Sequence, residues 1–280
     1  MVAISKPATV QNSAIRPGLR VLVGQGIRET IARRRLVRYL VEADLRKKGA
    51  DTFFGNVWWV LDPLLQMMVY VFFVSVIFAR SQPDYPLFVF SAILPWKWFT
   101  SSVADSIASV VSQGALIRQL QFPKIVLPVA AVFAGVANFA FGMVPLGGLL
   151  IPAIAVVQLV FTLAVGLMVA AINVFLRDVG NVARHALRLW WYMSPGLYAM
   201  QQLADSNTLK AHPSIMRVLE ANPFAILFTA YRAVIYGTPT GGPMLPDWAA
   251  LGSLLGVSLV LLLVGIAVFK RLEPSFAKVL

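Results

Sequence analysis

Six apolar runs, each near the length needed to cross a bilayer, constrain this chain more than any motif within it. A helix spans about 30 Å of hydrocarbon with about 20 predominantly apolar residues. Val60–Ala79, Leu87–Val111, Val126–Leu150, Ala153–Phe175, Leu187–Leu203 and Trp248–Phe269 are such runs, the second interrupted by Pro95, Lys97 and Asp105. Breakers and polar stretches separate them: Arg80–Pro86, Ser112–Lys124, Pro152 after Gly147–Gly148, LRDVGNVARHALR, and the loop Ala204–Asp247. Only 13% of residues are charged and 59% are hydrophobic, with mean hydropathy +0.76. A soluble domain carries about twice that share of charge. The fold class is an all-α polytopic membrane protein with six transmembrane helices.

The charges are distributed unevenly. Eleven lysines and arginines precede Trp59, and Arg118, Lys124, Arg177, Arg184, Arg188, Lys270, Arg271 and Lys278 add to the same side. The opposite loops hold Arg80, Lys210, Arg217 and Arg232. The positive-inside rule therefore places both termini in the cytoplasm. The net charge of +12 flanks apolar runs, which fits anionic lipid and cytoplasm and argues against a nucleic-acid partner. Residues 1–27 have no apolar core of a signal peptide and read as a flexible cytoplasmic leader. Residues 28–59 form an amphipathic interface helix and elbow, 60–270 the six-span domain, and 271–280 a cytoplasmic tail. With no cysteine, thiol chemistry is excluded.

Ile31–Lys48 read as a helix puts Val37, Leu40, Val41 and Leu45 on one face. Arg33, Arg34, Arg35, Arg38, Arg46, Lys47 and Lys48 occupy much of the rest, a pattern suited to lying on membrane lipid. The aromatic stretch Phe53–Trp59 then turns the chain into the first span. On the opposite side, NPFAILFTAYRAVIYG (Asn222–Gly237) is too short to span and has helix punctuation at both ends. It either dips into the membrane as a re-entrant helix or lies as a surface helix.

Familiar catalytic chemistry is missing. No P-loop, nucleophile elbow or zinc-protease motif occurs, and His185 and His212 have no partners at metal-ligand spacing. The intramembrane acids are Asp62 and Asp105, with no relay beside either, and no two-halves repeat is visible. Energy for any transport must come from another subunit.

The order of several short motifs resembles the membrane subunit of bacterial type-2 ABC exporters for polysaccharides, the group handling O-antigens, teichoic acids, capsules and galactan. The elbow GNVWWVLDP is similar to the family's Gly-x-x-Trp-x-x-Leu-x-Pro, and LPWKWF to its Leu-x-Pro-Trp-x-Phe-Phe. GALIRQLQFPKIVLPV, AAINVFLRDV, Ser194–Pro195 and Asn222–Pro223 follow in family order. The likeness runs from about Val37 to the end; it departs at KKGADTFFGNVW, where the family carries a basic run. A type-2 exporter for drugs or small lipids shares the span plan, and a membrane-embedded transferase would need an acid or His constellation.

The resemblance implies a non-enzymatic permease working as a homodimer. A cytoplasmic P-loop ATPase dimer would hold ATP and Mg, with no cofactor on this chain, and a lipid-linked glycan would pass between protomers. Arg34, Arg35, Arg38, Arg46 and Lys47 would meet the ATPase and flank substrate access, or simply anchor to lipid. Gln113–Lys124 would be the coupling segment, with Arg118, Gln119, Phe122, Pro123 and Lys124 at the contact and Phe122 as an apolar knob, or else an ordinary basic loop. Trp96, Lys97, Trp98 and Phe99 in the second span and Trp190, Trp191 and Tyr192 in the fifth would line a sugar path. The same residue types build interfacial belts, so the path assignment narrows to Trp96, Trp98 and Tyr192. Lys97 would snorkel to headgroups or meet an anionic part of the substrate. Arg177 and Asp178 would form a structural ion pair or cap.

Overall fold

The computed structural model describes residues 17–49, 55–77, 84–143, 149–200, 210, 213–237 and 244–280. Among them every regular element is helical. In chain order these are α1 (Leu19–Ala32), α2 (Arg34–Gly49), a 3-10 turn (Gly55–Val57), α3 (Trp58–Val71) running into a π-helical turn (Phe72–Ile77), α4 (Tyr85–Val111), α5 (Gly114–Gln119) and α6 (Val126–Met143). After them come α7 (Ile151–Phe175), α8 (Val179–Met193), α9 (Pro213–Glu220), α10 (Pro223–Ile235) and α11 (Trp248–Val279).

Among the described residues five helices are long and apolar enough to cross a membrane: Trp58–Ser75, α4, α6, α7 and α11. The paired α9 and α10, bent by 66°, make a sixth broken segment. The fifth apolar run does not form one span. Helix α8 stops after 15 residues, about 22 Å at 1.5 Å per residue. Ser194 turns extended, φ −96° and ψ 147°, because the ring of Pro195 crowds the α conformation of the residue before it.

Two further boundaries differ from the sequence reading. Residues 19–27, read as flexible leader, are helical in α1, and the basic helix begins only after a break at Arg33 (φ −100°). Residues 271–279, read as a tail, continue α11 and bury Phe276. Residues 1–16 of the leader, the KKGADTFF departure over 50–54, the Arg80–Pro83 turn, Gly147–Gly148 and His212 lie outside the described residues.

Helix α4 is the centre of the bundle. It is buried on nearly all sides, as expected of a helix apolar all round, and it packs on α3, α6, α7, α8 and α10. Small residues set the closest approaches. A methyl group on Gly135 of α6 would overlap Ser102 Oγ, so α6 lies hard against α4. One on Gly265 of α11 would meet the Ala164 carbonyl at 3.0 Å. Side-chain amides of α7 tie it to α4: Gln158 Nε2 donates to Pro95 O (2.7 Å) and Asn173 Nδ2 to Ile107 O (2.8 Å). Helix α3 buries only Pro63 and leaves Leu65, Met68 and Val69 exposed, as are Phe72 and Phe73 of the π-helical turn that follows it.

Candidate functional site

An aromatic core fills the half of the bundle around the first part of α4. The Phe224 ring of α10 lies 4.7 Å from Trp96, 4.8 Å from Phe99, 5.4 Å from Trp190 and 5.3 Å from Phe228. Trp191 stands 5.4 Å from Trp96, and Phe161 of α7 stacks on Phe99 at 5.6 Å. Helix α10 buries Phe224, Leu227, Phe228, Tyr231 and Val234, a helical spacing that directs one face inward. It packs on α4, α7 and α11. The surface-helix alternative for this segment is thereby excluded.

Polar motifs hold that insertion in place. Asn222 caps α10, its Oδ1 accepting from Phe224 N and from Trp190 Nε1, both at 3.0 Å. Its Nδ2 donates to Ser194 Oγ at 2.9 Å. The Asn-Pro and Ser-Pro motifs, 28 residues apart in sequence, are one hydrogen-bonded joint.

Arg232, counted in the sequence among loop cations, is buried in this joint. Its guanidinium donates to the carbonyls of Phe88 (3.3 Å), Pro195 (2.6 Å), Gly196 (2.5 Å) and Tyr198 (3.2 Å). It also lies 3.7 Å from the Phe88 ring centroid. The Pro195, Gly196 and Tyr198 carbonyls belong to the stretch where α8 has ended, so Arg232 supplies the donors a continuing helix would have supplied. Its place four residues after Phe228, on the face of the buried aromatics, was the one signal of this in the sequence.

The expected path residues separate into different environments. Trp96, Phe99 and Trp191 are interior to the core, 6%, 0% and 4% exposed, so they have almost no surface to offer a passing polymer in this conformation. Trp190 is half-buried, with its indole N–H engaged by Asn222. Trp98 is buried and tilts against Phe139 at 4.7 Å. Tyr192 is 59% exposed on α8.

Lys97 has a charged partner. It donates to Asp62 on α3, so the cation of the second span is answered by the acid of the first. The other intramembrane acid, Asp105, receives Lys48 of α2 at 2.7 Å, and Lys48 also reaches Asp44 at 2.8 Å. Burial lowers the Lys48 pKa, but the Asp105 and Asp44 carboxylates raise it by more, leaving it above the ordinary lysine value. That stabilisation is therefore present throughout the physiological range and is lost only as pH rises past the lysine range.

Between these pairs lies a cleft of about 460 Å³, walled by Trp58, Asp62, Lys97, Trp98, Asp105 and Asn138 with Lys48 and Ser101. It offers ammonium donors, carboxylate acceptors and indole faces together. That combination suits a polyhydroxylated ligand, whose hydroxyls donate and accept and whose C–H faces pack on rings. Trp98 and Phe139 also wall an apolar groove of about 520 Å³ between α6 and α7. This cleft is the candidate site, and of the expected path residues only Lys97 and Trp98 border it.

At the end of the bundle where the basic residues gather, Arg34, Arg35, Arg38, Arg46 and Lys47 are all exposed on α2, while Val37 and Leu40 pack toward the core. The expected amphipathic faces are both present. Within the 113–124 segment, Arg118 and Gln119 are exposed, and Arg118 donates to Leu280 O at 3.2 Å. Phe122 and Pro123 are half-buried, Phe122 packing against the core rather than projecting as a knob; the exposed apolar side chain there is Leu120. Lys124 is half-buried, and its backbone N–H is bound by Glu273. Arg177 and Asp178 form no ion pair with each other. Asp178 instead accepts from Asn181 Nδ2 at 2.9 Å and Arg177 faces solvent, because adjacent residues at a helix start diverge around the axis.

No family model matches the chain. Over 265 residues it is 32% identical to the O-antigen export system permease protein RfbA of Myxococcus xanthus, covering 90% of this chain and 98% of that protein. Two Klebsiella pneumoniae proteins of the same name are 26% identical over 259 residues, 88% of this chain and 95% of each. The multi-pass helical fold, the joined Ser-Pro and Asn-Pro motifs, and a likeness that runs nearly end to end lead to one assignment: the chain belongs to the O-antigen export permeases, membrane subunits of type-2 ABC exporters.

Proposed function

We propose that this chain is the membrane-spanning half-pathway of an exporter that moves a lipid-linked polysaccharide out across the bacterial cytoplasmic membrane. The likeness to O-antigen export permeases over 90% of the chain carries this reading. ATP and Mg would be held by a separate P-loop ATPase and nothing by this chain, which has no phosphate-cradling loop. The basic end faces the cytoplasm by the positive-inside rule, with Arg118, Gln119 and Leu120 exposed for the ATPase.

A polymer needs a path, and the aromatic core is filled. The passage therefore lies between two copies, along the α3 face of Met68, Phe72 and Phe73 and the α8 face of Leu189 and Tyr192, all exposed in one protomer. The Lys97–Asp62 cleft opens beside the elbow that begins α3, so it handles sugar near the start of that path. Lys97→Met is expected to change stability by less than about 1 kcal/mol, because both side chains are partly exposed where they border the cleft. Export should nonetheless fall several-fold, read as surface glycan against protein level in the membrane; equal losses in both would remove the cleft from the mechanism.

Depletion of the chain tests the function itself. Lipid-linked glycan is expected to accumulate on the cytoplasmic side while surface glycan disappears. Undiminished surface glycan would overturn the proposal.

A further inference from the structure

The cytoplasmic-end geometry contains a clamp that the family reading does not use. Glu273 and Lys270 on α11 are each 7% exposed. Glu273 divides its carboxylate: Oε1 accepts from the Lys124 backbone N–H at 2.6 Å, and Oε2 accepts from Lys270 Nζ at 2.5 Å. Lys270 also reaches Glu29 Oε2 on α1 at 2.7 Å. One carboxylate thus joins the end of the 114–125 segment, the last helix and the first helix.

The other end of that segment is pinned to the same helix. Arg118 Nη1 donates to Leu280 O at 3.2 Å, and a Cβ on Gly114 would lie 3.6 Å from Leu280 Cβ. The helix so gripped is rigidly seated. Phe276 is fully buried, 5.3 Å from Phe269 and 5.9 Å from Phe175 of α7. Helix α1 lies so close that a methyl group on Gly26 would meet Ile266 Cγ2 at 2.5 Å. Lys270, Glu273 and Phe276 recur every three residues, which places them along one face of α11.

We propose that Glu273 is a positioning residue for coupling. It locks the 114–125 segment to α11 so that segment, α11 end and α1 move as one body, and force on the segment is delivered into α11 and its partner α7. Buried charge clusters stabilise poorly compared with apolar packing and serve better to fix one arrangement. Beyond the Leu120 N–H that caps α5 on Leu116 O, the stretch Leu120–Pro123 lies outside any helix, so without the clamp a push on the segment is absorbed by local bending. The proposal rests on the reading of the chain as an ATPase-driven permease.

The test uses the full chain assembled with its ATPase in vesicles, reading ATPase retention, ATP hydrolysis and glycan export separately. Glu273→Ala is expected to keep the ATPase bound and hydrolysing while export per ATP falls about tenfold, the scale of a typical coupling free energy. Glu273→Gln, which still offers an oxygen to Lys124 N–H, should fall in between. Because the chain has no cysteine, Gly114→Cys with Leu280→Cys gives a single intramolecular disulfide within bonding range. Oxidising it should leave export unchanged and should restore export to Glu273→Ala. Full export by Glu273→Ala, or arrest of export by the disulfide alone, would overturn the clamp. If Glu273→Ala is lost from the membrane, the disulfide in the otherwise unaltered chain decides. A wild-type chain that binds no ATPase would instead sink the functional reading and not the clamp.

Discussion

Arg232→Ala is expected to lower stability by about 3–5 kcal/mol, the range seen when one side of a buried charged network is removed. The Pro195, Gly196 and Tyr198 carbonyls lose this donor at once, while Phe88 O keeps Ser91 Oγ, and each orphaned acceptor costs about 1–3 kcal/mol before relaxation. The vacated space is walled by Phe88 and the Pro195–Tyr198 stretch. The readout is the thermal midpoint of the purified protein in detergent, with the amount inserted in the membrane as a second measure. Arg232→Lys should recover only part of the loss, because a single ammonium cannot reach carbonyls on both flanks as a planar guanidinium does. Wild-type stability in the alanine variant would mean that water enters and satisfies those carbonyls.

Phe224→Ala should be nearly as damaging, about 3–5 kcal/mol, as for large aromatic truncations in packed cores. Its ring is fully buried and touched by aromatic rings from α4, α7, α8 and within α10. In a bilayer the alternative environment is also apolar, so the loss comes chiefly from contacts and the cavity rather than from exposure to water. Phe224→Leu keeps most of the volume and should cost less than half as much. Tyr192→Ala, on the exposed face of α8, should stay within about 0.5 kcal/mol. Equal losses at positions 192 and 224 would contradict the filled core.

Much of the fold was legible. Leu87–Val111 and Ala153–Phe175 became helices within two residues of their expected limits, the third and sixth runs begin at Val126 and Trp248 as expected, and the first became the α3 span with its π-helical end. The basic helix shows its two faces where the spacing put them. The errors have specific causes. Hydropathy averaged over Leu187–Leu203 hid a break that Pro195 itself announces. The same averaging made residues 271–280 a tail, although Phe276 stands at helical spacing from Phe269 and belongs to the core.

The candidate site was less legible. The side chains of LPWKWF go to different places: Trp96, Trp98 and Phe99 are all buried in the core, and of the four only Trp98 and Lys97 also border the cleft. Phe122 reads as a knob in sequence and packs inward, leaving Leu120 exposed.

By itself, then, the sequence determined the membrane class, five of the spans and their order, the basic end and the family. These follow from local quantities: run length, charge balance and motif order. The tertiary structure alone decided the partners of the charges: Lys97 with Asp62, Lys48 with Asp105, Lys270 with Glu29 and Glu273, and Arg232 with four carbonyls. Helical periodicity states which residues share a face of one helix. It says nothing of which helix that face meets, and a buried charge is tolerable only because of what it meets.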